Sequence, residues 1–500
     1  MAPSPMTPEG AALGRLAAVA AVLVALALVV SLGVAEIPLT YALAAAAAAA
    51  LFVLVFVRTD FGLEILLLSM LLSPKFLLGG KSALAEQREI SLRFDDLVIL
   101  IIAFTWFAKT AVHKELGLVS KTPLNRPIAA YMSACALATA WGIGFTHVRP
   151  LAGLFYLLKY LEYFFVYYIA VNNIRARPQA RRLVIIALAT AAIVSIVGIA
   201  QIPSGERVSA PFEGESGEPN TLGGYLVLMM GIVAGLTTEA RRGRDRLLGI
   251  GLLGLMLAPF AYTLSRSSYL ALVPATLLLV LVSSKRALLV PLVVLGLLLI
   301  PFFAPKVVRE RVESTFKVQR GQPTVRLGGA GFDPSTSERL LSFKEALQAW
   351  TTRPILGFGI TGFHFMDAQY PRTLVETGIL GFLAFVWMIS SVLRLTVSRY
   401  RAARDPFWRG LSLGYLTGFV GLLFHAIGAN SFIIIRIMEP FWFFAGLVVL
   451  LPQLEPEPGV GPRAGPRPFA PLRSPLLPPT APPSWRRDPV RRPLGRPSAP

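Results

Sequence analysis

The sequence predicts an all-α fold, a polytopic transmembrane helical bundle of about 12–14 spans, and three observations predict it. Apolar residues make up 54% of the chain and charged residues 15%. The apolar residues fall in repeated runs of about 18–22, the length that crosses a hydrocarbon core of roughly 30 Å. The polar gaps between most runs are too short for separate globular domains, so one helical membrane domain is the economical reading.

The runs begin near residues 16, 38, 61, 95, 127, 151, 183, 221, 247, 268, 287, 378, 409 and 438. The third and last are short, so twelve spans are also compatible with the pattern. The run from Leu16 to Val34 exceeds a signal-peptide core and lacks a small-x-small cleavage site, so it is read as the first span. Ala44 to Ala50 lies within a span and suggests a closely packed helix.

The net charge of +20 could suggest nucleic acid. The basic clusters nevertheless sit between apolar runs as topology signals: Lys109/Lys114/Lys121/Arg126, Arg175/Arg177/Arg181/Arg182, Arg241/Arg242/Arg244/Arg246, Lys285/Arg286 and Arg394/Arg399/Arg401/Arg404. They occupy every second connection. The alternate connections are poor in Lys and Arg, as at Ala35 to Ile37 and Glu213/Glu215/Glu218, which puts both termini in the cytoplasm. Lys75, Lys81, Arg88 and Arg93 dissent, offset in part by Glu86, Glu89, Asp95 and Asp96. Membrane lipids are therefore the expected surroundings, and no nucleic-acid partner is expected.

The chain divides into transmembrane helices over 1–303, a loop over 304–376, the last transmembrane helices over 377–454 and a tail over 455–500. The topology places the loop in the periplasm. Within it, Ser335-Thr-Ser-Glu338 reads as a helix start with a carboxylate three residues after a hydroxyl. Leu340, Leu341, Phe343, Leu347 and Trp350 then share a face, giving a short amphipathic helix for the membrane surface that Thr352-Arg-Pro354 ends. The tail, rich in Pro, Arg and Ala, cannot form a core; its arginines could touch anionic lipid or simply be solvated. With one Cys and four scattered His, no metal-ligand spacing and no disulfide framework is present, and no cofactor is expected.

Several stretches bear a resemblance. Glu338-Arg339, Ala346, Trp350, Arg353-Pro354-Ile-Leu-Gly357-Phe-Gly359, Asp367-Ala-Gln-Tyr370 and Glu376-Thr-Gly378-Ile-Leu-Gly381 together resemble the signature region of the O-antigen ligase and O-antigen polymerase superfamily. Pro219-Asn220-Thr-Leu-Gly-Gly-Tyr225 and Leu264-Ser265-Arg266-Ser267 agree with it. The resemblance implies a GT-C-like, membrane-embedded, metal-independent and inverting glycosyltransferase of a bacterial inner membrane. It would move a glycan from a polyprenyl diphosphate to an acceptor hydroxyl, with a flippase and a chain-length regulator as possible partners.

The chemistry asks for two kinds of part. A departing diphosphate needs fixed cations, and a guanidinium fork pairs with phosphate oxygens at two points. Arg266, in a tight turn between two spans, is the first candidate; Arg149 and Arg339 follow. Each could instead snorkel to headgroups or lie on a solvated face. The acceptor hydroxyl needs a general base within hydrogen-bond reach. Ligases of this superfamily usually have a histidine where this chain has Asp367, a departure that leans towards the polymerase branch. His364, three residues earlier, would share a face with Asp367 if the segment were helical. The same block supplies Tyr370 and Arg372 as candidate substrate contacts, and Asn220 joins them from the Pro219–Tyr225 stretch. Glu376 is either catalytic or held by a helix N-terminus. Lys159 and Glu162, three apart inside an apolar run, predict an internal ion pair that lines the substrate chamber or is purely structural. Gly357-x-Gly359 is a tight turn rather than a nucleotide fingerprint. The leading expectation is a polymerase of lipid-linked repeat units, with a ligase and a lipid-linked-sugar flippase as alternatives.

Overall fold

The computed structural model describes residues 50–55, 59–77, 91–112, 121–212, 217–316, 325–327 and 330–455. The first expected span, nearly all of the second, Ala44 to Ala49, Glu213, Glu215 and the tail beyond Glu455 lie outside the described residues. The other twelve expected spans each form a helix: α1 (Thr59–Leu72), α2 (Phe94–Val112), α3 (Asn125–Gly144), α4 (Pro150–Asn173), α5 (Arg177–Gln201), α6 (Pro219–Glu239), α7 (Gly243–Tyr262), α8 (Arg266–Val282), α9 (Arg286–Phe303), α12 (Gln369–Ala402), α13 (Pro406–His425) and α14 (Ile435–Leu454). The loop adds α10 (Lys306–Glu313) and α11 (Pro334–Thr352). Eight helices are long and apolar enough to cross a bilayer, and α1, α8 and α9 are shorter apolar ones. Two small antiparallel pairings, Lys75–Leu77 with Ser91–Arg93 and Arg326–Leu327 with Ala330–Gly331, are the strands among the described residues.

Proline in the first turn starts α4, α5, α6, α11 and α13, where its missing N–H costs no hydrogen bond. The tightest helix pair is α6 with α13. A Cβ on Gly235 would stand 2.2 Å from the Gly414 nitrogen, and one on Gly231 would stand 2.4 Å from that of Gly418. Small residues four apart thus let two backbones touch, which favours association where lipid offers no hydrophobic gain. Around them Tyr415, Phe419, Phe432, Phe441 and Trp442 form a buried aromatic core, with the Phe419 and Phe441 centroids 5.0 Å apart.

The helix ends fall on two faces. On one, Arg181 pairs with Asp405 at 3.0 Å and Arg182 with Glu64 at 2.8 Å, while the Arg409 Nη2 donates to the Ser284 hydroxyl at 2.7 Å. This is the face of the basic connections. On the other, the α5–α6, α7–α8 and α13–α14 connections and the start of α12 meet the loop; the Ser267 hydroxyl donates to the Gly428 carbonyl at 3.0 Å and the Gln369 N–H to Ala426 at 3.0 Å. Of the dissenting basic residues, Arg93 is buried, 3.7 Å from an Asp95 oxygen, so it is a partner in an internal ion pair.

One local expectation is corrected. The loop helix α11 starts at Pro334, and its cap is Asp333, two residues before Ser335, accepting from the Thr336 N–H. A carboxylate is the stronger acceptor at a positive helix end, and Ser337 turns away to accept from the Val325 N–H at 2.9 Å. The helix ends at Thr352 as expected, and Leu341 and Leu347 on its apolar face are exposed.

Candidate active site

The site is built on the turn between α7 and α8. Leu264 adopts φ +50°, a conformation that costs a branched residue and marks a turn held by its surroundings. Its carbonyl accepts from Arg207 Nη2 at 3.4 Å and Arg311 Nε at 3.3 Å, and the Thr263 carbonyl accepts from Arg207 Nε at 3.0 Å. Arg266, the first residue of α8, follows, with Ser265 capping the helix through the Ser268 N–H. The twisted turn therefore gathers three arginines from three segments distant in sequence.

Arg266 is anchored by Asp333, its Nη1 2.8 Å from Oδ2, and by the Ser314 hydroxyl at 3.3 Å. Its Nε is buried without a hydrogen-bond partner among the described residues. Burial opposes the charge of Arg207 and Arg311, and neighbouring arginines, Arg339 and Arg266 among them, push both further down. Asp333 is itself held below the ordinary carboxylate range: burial would raise it, but hydrogen bonds from Thr336 and Arg266 prevail. Four guanidinium groups thus crowd a face on which Asp333 and Asp367 are the paired carboxylates. Such an arrangement favours a polyanion.

α11 joins the two halves of the site. Asp333 caps it beside Arg266, and Arg339, six residues on and about 9 Å along the axis, reaches Asp367, 4.0 Å between Nη2 and Oδ2. Asp367 is half exposed. Crowding by protein raises its carboxyl above the usual range, opposed by Arg339 and Arg372. A carboxylate moved up in this way is a better proton acceptor. Asn430 fixes the segment by donating to the Met366 carbonyl at 2.7 Å, and the Gln369 side chain accepts from the Phe432 N–H at 3.0 Å.

His364 is placed differently from the expectation. Residues 361–368 are not helical, so it shares no helical face with Asp367; it is exposed, stacked on Phe363 at 4.0 Å between centroids, with Nε2 3.6 Å from Glu345. α12 breaks at Gly378, and Glu376 lies just ahead of that break, at the mouth of the second helical stretch; it is also buried, 3.3 Å from the Arg372 Nε, and accepts from the Thr361 N–H at 3.2 Å. This pair braces the Arg353–Gly359 segment against α12, where the Phe358 N–H donates to Val375 at 3.0 Å, Gly359 to Glu376 at 2.8 Å and Ile379 to Pro354 at 2.8 Å. The glycines answer to that knot. Gly357, Gly359 and Gly378 have φ of +65°, +90° and +63°, and a Cβ on Gly378 would lie 2.1 Å from the Ile355 oxygen.

The remaining candidates lie apart or serve as supports. Tyr370 donates its hydroxyl to the Leu423 carbonyl at 2.6 Å, and Asn220 accepts from Ser265 at 2.7 Å beneath Arg266. Arg149 is the exposed cap residue of α4. Lys159 and Glu162 form the expected pair at 3.0 Å, but Lys159 also binds Asp96, which places them in a cluster with α2 rather than with the arginines.

Three residues escaped the sequence reading. Arg207 is a lone basic residue in an otherwise acidic connection, and Arg311 sits among the charges of α10; isolation in a basic-poor connection was the available signal for the first. His425, buried at the end of α13, has Nδ1 2.7 Å from the Ser431 hydroxyl and Nε2 3.2 Å from that of Ser268, which in turn contacts Ser265.

The fold and site define a polytopic membrane protein that carries a cationic, carboxylate-edged centre on one face. Residues 251–386 match the family model described as O-antigen ligase, which bears out the resemblance to the O-antigen ligase and O-antigen polymerase superfamily and supports a membrane-bound, ligase- or polymerase-type function. The match runs from α7 into α12 and contains Arg266, Arg311, Asp333, Arg339, Asp367 and Glu376. No curated protein matches the chain.

Proposed function

We propose that the protein is an inverting polysaccharide polymerase that joins polyprenyl-diphosphate-linked repeat units at the periplasmic side of a bacterial inner membrane. The observation that carries this reading is the continuous line from Arg266 through Asp333 and α11 to Arg339 and Asp367. Arg266 and Arg339, with Arg207 and Arg311 beside them, would hold the diphosphate of the donor. The acceptor hydroxyl oxygen attacks the anomeric carbon as Asp367 takes its proton; the anomeric C–O bond breaks, and its electron pair leaves with the polyprenyl diphosphate. The four guanidinium groups supply the positive charge that such a leaving group needs, so the reading is metal-independent. Asp367 in place of a histidine favours the polymerase branch. The description of the matching family model favours the second reading, a ligase that passes glycan to lipid A core or to protein.

The test uses purified protein in detergent and a radiolabelled polyprenyl-diphosphate oligosaccharide. A polymerase releases polyprenyl diphosphate and makes multimers from donor alone. A ligase releases it only when lipid A core or a protein acceptor is added. Release under neither condition would end the transferase reading, and movement of the donor across the bilayer once the protein is reconstituted in vesicles would then leave a flippase.

A further inference from the structure

A second charged cluster lies inside the bundle, built from residues that the transferase site does not use. The Lys159 ammonium, about 13 Å along α4, contacts Asp96 of α2 and Glu162 of its own helix. The Ser73 hydroxyl donates to Asp95 at 2.7 Å, and the Arg436 guanidinium, fully buried, donates to the carbonyls of Leu71, Ser73 and Pro211. Glu439, one turn on from Arg436, is completely buried with neither carboxylate oxygen hydrogen-bonded among the described residues. The charges of Asp95, Glu162, Arg93 and Asp96 all act on it. Of the other helices packed on α14, α12 contributes Arg372 and Glu376, which pair with each other, and α13 contributes His425, held by Ser268 and Ser431.

Two inventories point to the same missing partner. Arg93 lies against Asp95, and Lys159 alone contacts both Asp96 and Glu162, so those two carboxyls share one cation and are one positive charge short. Asp96 Oδ2 and Glu162 Oε2 both contact the Lys159 ammonium, yet the buried Asp96 Oδ1 and Glu162 Oε1 have no donor among the described residues. Two carboxylate oxygens can bond only if a proton stands between them. A metal ion does not meet the need, because among the described residues no three acidic, His or Cys side chains are grouped to hold one. An uncompensated charge at this depth would be costly.

We propose that Asp96 and Glu162 share one exchangeable proton, so that this cluster is a protonation site in the bundle, separate from the arginine site. The proton brings Asp96, Glu162 and Lys159 together to neutrality. Lys159 then bridges a carboxylate and a carboxylic acid. Tyr156 and Tyr160 of the same helix act on Arg372, a member of the ion pair that braces the signature loop.

The test is infrared spectroscopy of the full-length protein in lipid nanodiscs, which resolves the C=O stretch of a protonated carboxyl from the amide bands. The wild type should show such a band at neutral pH, shifted in deuterium oxide and unchanged when sodium or potassium is varied at fixed pH. Asp96→Asn and Glu162→Gln are neutral near-isosteres of the protonated acid and should each remove it. Absence of the band in the wild type overturns the proposal, and so does survival in both variants, removal by Glu439→Gln alone, or loss on adding sodium. None of these readouts depends on transferase activity, so the test stands or falls apart from the function proposed above.

Discussion

The arginines at the two ends of the bundle keep different company. On the face of the basic connections Arg181 and Arg182 meet separate partners in open surroundings; their side chains are 45% and 50% exposed, each with its own carboxylate. On the loop face, the Arg266 side chain is 14% exposed and shares its neighbourhood with three other guanidinium groups. The first arrangement is what a topology signal needs, charge near water. The second holds like charges together against their repulsion, which folding alone does not reward. The fold pins them through the Thr263 and Leu264 carbonyls, and a polyanion is the ligand that would relieve them.

This contrast can be broken at several points. The largest effect is expected from Asp367→Asn, which should lower transfer by roughly 10²–10⁴-fold, the usual worth of a general base, while His364→Ala lowers it far less; the reverse order in a quantified donor-release assay would move the base to His364. Because the Asp367 carboxyl is raised, transfer should fall as pH drops through a value above the ordinary carboxylate range, and a pH–rate profile with its acid limb at or below that range would remove Asp367 from the role. Arg266→Ala should lower transfer by roughly 10²–10³-fold with the protein still in the membrane at normal level, the loss expected when a fixed donor to developing charge is removed. Wild-type polymer amount and length in that variant would take Arg266 out of the site.

Gly378→Ala probes the knot between the two halves of the site. Its left-handed backbone should cost about 1–2 kcal/mol before any clash with Ile355 is counted, seen as a lower unfolding temperature in detergent. An unchanged temperature would mean that the knot is not needed for folding. The smallest effect belongs to the opposite face: Arg182→Ala should change stability by less than about 1 kcal/mol and leave transfer intact, since exposed pairs contribute little. A large loss of transfer there would erase the distinction between the two faces.

Much of this was legible from residue order. Apolar runs fixed the helices because a bilayer core demands a set length and internal hydrogen bonding, and all twelve expected spans that fall on described residues are helices. The Gly357-x-Gly359 spacing marked a tight turn, since only glycine enters that conformation cheaply. Arg266, Arg339 and Asp367 could be named from the resemblance and from the chemistry of phosphate and proton transfer. The helical face expected to join His364 to Asp367 is absent, because the segment is held in a non-helical course by Asn430 and the α13–α14 turn.

Sequence by itself determined which segments form apolar helices, which stretch between them departs from that pattern and which residue types could handle a diphosphate, because these follow from local composition and periodicity. Tertiary structure alone decided that Arg207 and Arg311 join Arg266, that Glu376 pairs with Arg372 and accepts from the Thr361 N–H, and that Lys159 faces Asp96. Those outcomes depend on contacts between residues tens to hundreds of positions apart. No local pattern encodes such contacts, since they are set by how the helices pack.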